Sequence, residues 1–186
     1  MALMRLFTAL DLANDVVRNL EALLDRLRPT ARIQWSPPAN LHVTTKFIGE
    51  WPDERLPELK AALGALPERP PIEVQVSKLG FFPNPRAARV FWCGIDAPGL
   101  EALAAETDAA TARLGVVRET RTFSPHLTLA RIKDAGALGA LHQAIAVAPA
   151  PEFGRFTARS FFLYQSQLRP SGSVYTKLAE LPFSKP

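Results

Sequence analysis

The sequence has almost no cysteine. One residue in 186, Cys93, cannot close an internal disulfide. Its place in RVFWCGI predicts the middle of a buried strand, where a thiol behaves as a small inert hydrophobe. Long apolar runs are missing as well, none approaching the ~20 residues that a membrane-spanning helix needs. The opening MALMRLFTALDLAND carries no small-residue cleavage site of the kind that ends a secretory leader. These absences lead to the expectation of a cytoplasmic protein with no membrane partner. The sequence also lacks a Walker-type glycine loop, a nucleophile set beside a base, and a cluster of metal ligands, and it has only three histidines. Low-complexity tracts, heptads and linkers are absent too. A net charge of +4 and a pI of about 9.6 suit a polyanionic partner without requiring one.

What is present is enough apolar material, 47%, to bury a substantial core as one large domain or two small lobes. Hydrophobic periodicity alternates between strand and helix along the chain. Strands are predicted over 3–12, 41–49, 70–82, 88–96, 126–132, 156–168 and 173–183. Helices are predicted over 14–29, 53–66, 98–115 and 135–147, with Asn14 capping the first and Pro98 and Gly115 bracketing the third. His142 falls in the last helix and is expected at the surface. Phe7 and Phe91 are expected in the core.

Within NLHVTTKFIGE, strict alternation puts His42, Thr44 and Lys46 on one face and Val43, Thr45 and Phe47 on the other. A hydrophobic core accommodates neither a histidine nor a lysine, so that face looks onto something polar. SPHLTLAR repeats the pattern, with His126 and Thr128 falling 84 positions after His42 and Thr44. Arg89 and Phe91 stand at the same offset from Arg5 and Phe7. Two separated segments sharing one offset predict an internal duplication in which each half runs strand, helix, His-x-Thr strand. Two such lobes packed about an approximate two-fold axis bring equivalent residues together across a cleft.

Two imidazoles that titrate near neutrality can serve one substrate as general base and general acid. Each threonine sets a neutral hydroxyl donor beside its histidine. These donors, with Lys46 nearby, suit a phosphodiester whose transition state gathers negative charge on several oxygens. Two patterned histidines without in-phase carboxylates are too few for a zinc site, so the expected reaction uses no metal and no cofactor.

LHVTTKFIGE and SPHLTLAR, together with RLFTALDL and LYQSQLRPSGSVY, resemble the 2H phosphoesterases over almost the whole chain, specifically the branch of RNA 2′,3′-cyclic phosphodiesterases also called 2′-5′ RNA ligases. The resemblance implies an α+β, bilobal fold across residues 1–186, with intertwined lobes and antiparallel sheets lining a central cleft. It implies opening of a 2′,3′-cyclic phosphate to a 2′-phosphomonoester, with reversible 2′-5′ joining of RNA in some members. Carried over by motif, His42 and His126 are the catalytic pair, Thr44 and Thr128 bind the phosphate, and Arg131 approaches the phosphate or base. On a regular strand Arg131 is out of phase with His126, and only a bulge or a strand end brings it to the cleft. Of the two aromatics in GFFPNP, one is expected to pack and the other, Phe82, to stack on a nucleobase. The expected partner is an RNA or nucleotide with a cyclic phosphate end, and the expected state is a monomer. The competing readings are a non-catalytic RNA-end or nucleotide-binding module and a phosphodiesterase for another small cyclic phosphate.

Overall fold

The computed structural model describes residues 1–148 and 151–184. Along the chain it runs β1 (Leu3–Leu10), α1 (Asn14–Leu27), β2 (Gln34–Trp35), β3 (Val43–Pro52), α2 (Leu56–Gly64), β4 (Ile72–Phe82) and β5 (Val90–Asp96). It continues α3 (Leu100–Ala112), β6 (His126–Arg131), α4 (Gly139–Ala146), β7 (Glu152–Ala158), β8 (Ser160–Arg169) and β9 (Gly172–Pro182). The fold is α+β with two antiparallel sheets, ordered β3-β1-β8-β9 and β2-β6-β5-β4-β7. Each motif strand, β3 or β6, lies beside the strand that opens its half, β1 or β5. No helix among the described residues is long and apolar enough to cross a membrane.

Helix α1 buries Val16, Leu20, Leu23, Leu24 and Leu27, a one-sided stripe at helical spacing. It lies against β7 of the other half, where Asn19 donates a hydrogen bond to the Phe153 carbonyl at 2.8 Å. Helix α3 likewise packs on β3 of the first half. It ends where Gly115 adopts φ of 98° and the Val116 N–H returns to the Thr111 carbonyl, a left-handed cap that glycine accepts without a Cβ clash. The helices are therefore exchanged between the halves. Cys93 is fully buried in β5, and burial pushes its thiol pKa up to about 12, as its apolar surroundings predict.

Asn14 is the first residue of α1 rather than its cap, a position that Ala13 holds with no side-chain hydrogen bond, and two elements also differ from the pattern expected of the sequence. The stretch 156–168 is not one strand. The chain leaves the second sheet at Ala158, opposite Ile72, and enters the first at Ser160, opposite Pro182. Arg159 makes the crossing without a turn residue to announce it. The short strand β2 also carries no propensity signal of its own, and pairing with Ala130 and Arg131 creates it.

Candidate active site

The geometry of both motifs is set by a bulge at the same place. In β3, Ala9 pairs with Thr44 and Thr8 with Lys46, leaving Thr45 as an extra residue. In β6, Trp92 pairs with Thr128 and Phe91 with Ala130, leaving Leu129 extra. Each bulge inverts the alternation beyond it. Thr44 and Phe47 consequently share the face of Ala9 and Phe7, whereas Thr45 and Lys46 turn to the helix-covered face with Thr8. The hydroxyls of Thr8 and Thr45 pair there at 2.7 Å. By the same inversion Arg131, opposite Val90, returns to the face of Thr128 and Trp92.

The same registers correct the expected equivalence of Phe7 and Phe91. Thr44 is opposite Ala9 and Thr128 is opposite Trp92, so β1 and β5 correspond at an offset of 83, one less than the motifs. Phe7 faces the histidine side, and Phe91 points into the core against Trp35 and Phe81. The matching RLF and RVF triplets are thus out of register in space.

The two motif strands come within 8 Å of each other between Cα atoms, at the seam of the two sheets. Ser36 reinforces the seam, because its N–H and hydroxyl donate to the carbonyls of Leu129 and Thr128, each at 2.8 Å. Only the segment from Pro37 to Leu41 separates that anchor from His42. Both histidines are held in the same way. His42 Nδ1 donates to the Asn40 carbonyl at 2.6 Å and His126 Nδ1 to the Ser124 carbonyl at 2.7 Å. A carbonyl can only accept, so each Nδ1 carries the proton and each Nε2 is left bare in the neutral ring. Thr44 and Thr128 are half-buried, and their hydroxyls have no hydrogen-bond partner among the described residues, in contrast to the back-bonded Thr107 and Thr111.

The two imidazoles differ in their surroundings. His42 stacks on Phe7 at 4.7 Å between ring centroids and meets the edge of Tyr175 at 5.1 Å. Desolvation in this aromatic box lowers its pKa to about 4, against smaller upward contributions from the Asn40 carbonyl and Asp11. Asp11 accepts the hydroxyl of Tyr164 and pairs with Lys177 at 2.6 Å. Burial and Asp11 together push the Tyr164 phenol upward, so it remains a donor. His126 lies at the edge of an open cavity of about 390 Å³, with Phe82 edge-on at 5.0 Å.

The other residues expected at the site divide. Phe82 stands on the cavity side between His126 and Trp92, whereas Phe81 packs against Phe91 and His142. His142 is accordingly half-buried. Arg131 is exposed and takes part in no ion pair among the described residues. Lys46 is not on the histidine face, contrary to strict alternation. Its amino group is buried behind β3, donating to Asp108 at 2.6 Å and to the Val117 carbonyl at 2.8 Å. Asp108 also accepts the Glu119 N–H and Arg118 Nε. Burial alone would raise the Asp108 pKa, but these hydrogen bonds outweigh it and hold the group below the ordinary carboxylate range.

Sequence patterning gives Phe47, Tyr164, Tyr175 and Lys177 no place on the histidine face, although the first three lie in segments that carry the family resemblance. Unbroken alternation would bury Phe47, and the bulge in β3 exposes it instead. The other three lie in the late segment LYQSQLRPSGSVY and just beyond it, where Tyr164 pairs with Phe7 and Lys177 with Tyr164 in register, so their joint presence on the histidine face follows from the sheet order.

Two antiparallel sheets, each presenting a bulged His-x-Thr strand with a bare Nε2 and an unengaged hydroxyl, define a duplicated two-histidine phosphoesterase architecture. The sequence model of the family described as "LigT like Phosphoesterase" matches residues 10–92 and 95–175, one segment per motif. The chain belongs to this family, within the 2H phosphoesterases. It is 32% identical over 177 residues to an RNA 2′,3′-cyclic phosphodiesterase of Methanocaldococcus jannaschii, covering 95% of this chain and 99% of the relative. A protein of the same description from Thermus thermophilus is 34% identical, with 94% and 88% covered. Among solved structures, Escherichia coli LigT complexed with 3′-AMP superposes with a TM-score of 0.80 at 25% identity, covering 99% of this chain and 100% of that one.

Proposed function

We propose that the protein opens 2′,3′-cyclic phosphate ends of RNA to 2′-phosphomonoesters by acid–base catalysis between His42 and His126. The observation that carries this reading is the matched pair of Nδ1 hydrogen bonds, which leaves one bare Nε2 per motif beside an unengaged threonine hydroxyl. The RNA end as substrate is supported by the relatives named RNA 2′,3′-cyclic phosphodiesterase, and a nucleotide-sized site by LigT in complex with 3′-AMP.

His126 takes a proton from water as its oxygen forms the new bond to phosphorus. His42 gives a proton to the 3′ oxygen as the P–O3′ bond breaks, and the phosphate stays on the 2′ oxygen. Burial keeps His42 neutral in the free protein. In this scheme it gains its proton when the anionic phosphodiester arrives and offsets the desolvation. Thr44 and Thr128 donate to the non-bridging oxygens, where charge builds. The imidazoles supply both proton transfers and the hydroxyls the charge stabilisation, so no step calls for a metal. In the same site a 5′-hydroxyl in place of water gives a 2′-5′ phosphodiester, and the cyclic ester supplies the driving force.

The deciding experiment is turnover of a nucleoside 2′,3′-cyclic phosphate in EDTA, with the product resolved by phosphorus NMR. A 2′-phosphomonoester is expected, with Thr44→Val and Thr128→Val each slowing its formation by roughly 10²–10³-fold. No turnover, or a 3′-phosphomonoester as product, would sink the proposal.

A further inference from the structure

Lys78 is the only non-glycine residue with positive φ, 69°, among those described. It is the extra residue of a bulge in β4, between Ser77 opposite Gly94 and Leu79 opposite Cys93. Its N–H is fixed at 2.9 Å to the Pro151 carbonyl. The bulge sits close upon β5 only because residue 94 is glycine, since a Cβ there would lie 2.6 Å from the Ser77 carbonyl oxygen. A glycine at 78 would hold the same backbone without the steric penalty that a Cβ brings in this region. The backbone therefore does not explain the lysine.

The side chain does have a place to act. Lys78 lines the cavity that His126 borders, together with Gln75, Phe82 and Trp92. The Trp92 ring packs directly on Gly80, where a Cβ would come within 2.2 Å of it. His126, Gly94 and Ser77 stand opposite one another on β6, β5 and β4, so the bulge is two strand spacings, ~10 Å, from the histidine. Lys78 is exposed and takes part in no ion pair among the described residues, although Asp96 lines the same cavity.

We propose that this bulge is a second subsite, in which Lys78 receives the phosphodiester linking the terminal nucleoside to the strand behind it. Phe82 and Trp92 supply the apolar wall for that nucleoside. The inference rests on the phosphodiesterase reading and narrows its substrate to oligonucleotides.

The test is equilibrium binding, read by tryptophan fluorescence, of a nucleoside 2′-phosphate and of a dinucleotide ending in a 2′-phosphate. The proteins are the wild type, Lys78→Gln and Lys78→Arg. Lys78→Gln should bind the dinucleotide roughly 3–10-fold more weakly at low salt, with the slope of log affinity against log salt reduced by about 0.7. Its affinity for the mononucleotide should not change, and Lys78→Arg should retain dinucleotide binding. Equal losses on both ligands, no loss on either, or failure of the arginine variant would overturn the subsite. Because no turnover is needed, the binding result is independent of the cyclic-phosphate assay, whose failure would count against the phosphodiesterase reading alone.

Discussion

Phe47 and Arg131 occupy the same register position on the two motif strands, three residues beyond their threonines and returned to the threonine face by matching bulges. One motif thus projects an aromatic ring and the other a guanidinium from equivalent points. Phe47 is 58% exposed, an unusual position for a phenylalanine, and lies 6.3 Å from Phe7, which stacks on His42. If this ring on the His42 side, rather than the Phe82–Trp92 wall on the His126 side, is the platform for the terminal base, Phe47→Ala should raise KM on nucleoside 2′,3′-cyclic phosphates by about 5–100-fold, the range of one stacking contact. The value of kcat should change less. An unaltered KM across all four bases would refute the platform.

Loss of either imidazole removes one of the two proton transfers. His42→Ala and His126→Ala should each lower turnover by roughly 10²–10⁴-fold. Circular dichroism and the melting temperature check that folding survives. Near-wild-type hydrolysis by either variant would disprove the paired mechanism.

The buried setting of His42 makes two measurable demands. Its ring protons should titrate near pH 4 in the free protein, and well above that once inorganic phosphate or a nucleoside 2′-phosphate is bound. A titration unmoved by ligand would reassign His42 from acid to base. The folded-state pKa lies below the unfolded value of about 6.5, so the neutral ring favours folding. That stability is present above about pH 6.5 and is lost as pH falls toward 4. The shift corresponds to at most ~3 kcal/mol, measurable by urea unfolding at pH 7 and pH 4 against His42→Gln.

Lys46 and Asp108 form a buried pair behind the first motif, tying β3 to the segment that leads to the second. Lys46→Met removes the buried partner of the Asp108 carboxylate, leaving it only the exposed Arg118 and the Glu119 N–H, and should cost up to about 3 kcal/mol. Lys46→Met combined with Asp108→Leu should cost less than Lys46→Met alone, because the desolvated carboxylate is removed with its partner. The depressed pKa of Asp108 adds stability that is lost as pH falls through its folded value. Asp108→Asn should therefore flatten the acid limb of stability against pH below about 4, and an unchanged limb would show that Asp108 does not contribute to it.

The motifs are legible because the sequence writes them twice. His42, Thr44, His126 and Thr128 can be paired from spacing alone, and helix α1 can be read from its leucine stripe. Bulges have no such spelling. Nothing in TTKF or TLAR states that Thr45 and Leu129 are extra, and the phase beyond each stays open. That is why alternation sends Lys46 to the wrong face, gives no reason to notice Phe47, and brings Arg131 to the cleft side only on the condition of a bulge. Strand register is a long-range property, fixed here by Ala9, Thr8, Trp92 and Phe91 on neighbouring strands. The crossing at Arg159 is hidden for the same reason: residues on both sides of it have good strand propensity, and only their partners differ.

The exchange of helices and the crossing at Arg159 mean that neither sheet is built from one continuous stretch of chain. A cut in the exposed segment near Thr120 would leave β1 to β5 in one piece and β6 to β9 in the other, each carrying a single motif histidine. Each sheet would then draw strands from both pieces, so neither piece has a finished surface to fold upon. Mixed together, they have the makings of a split enzyme whose activity reports their reunion.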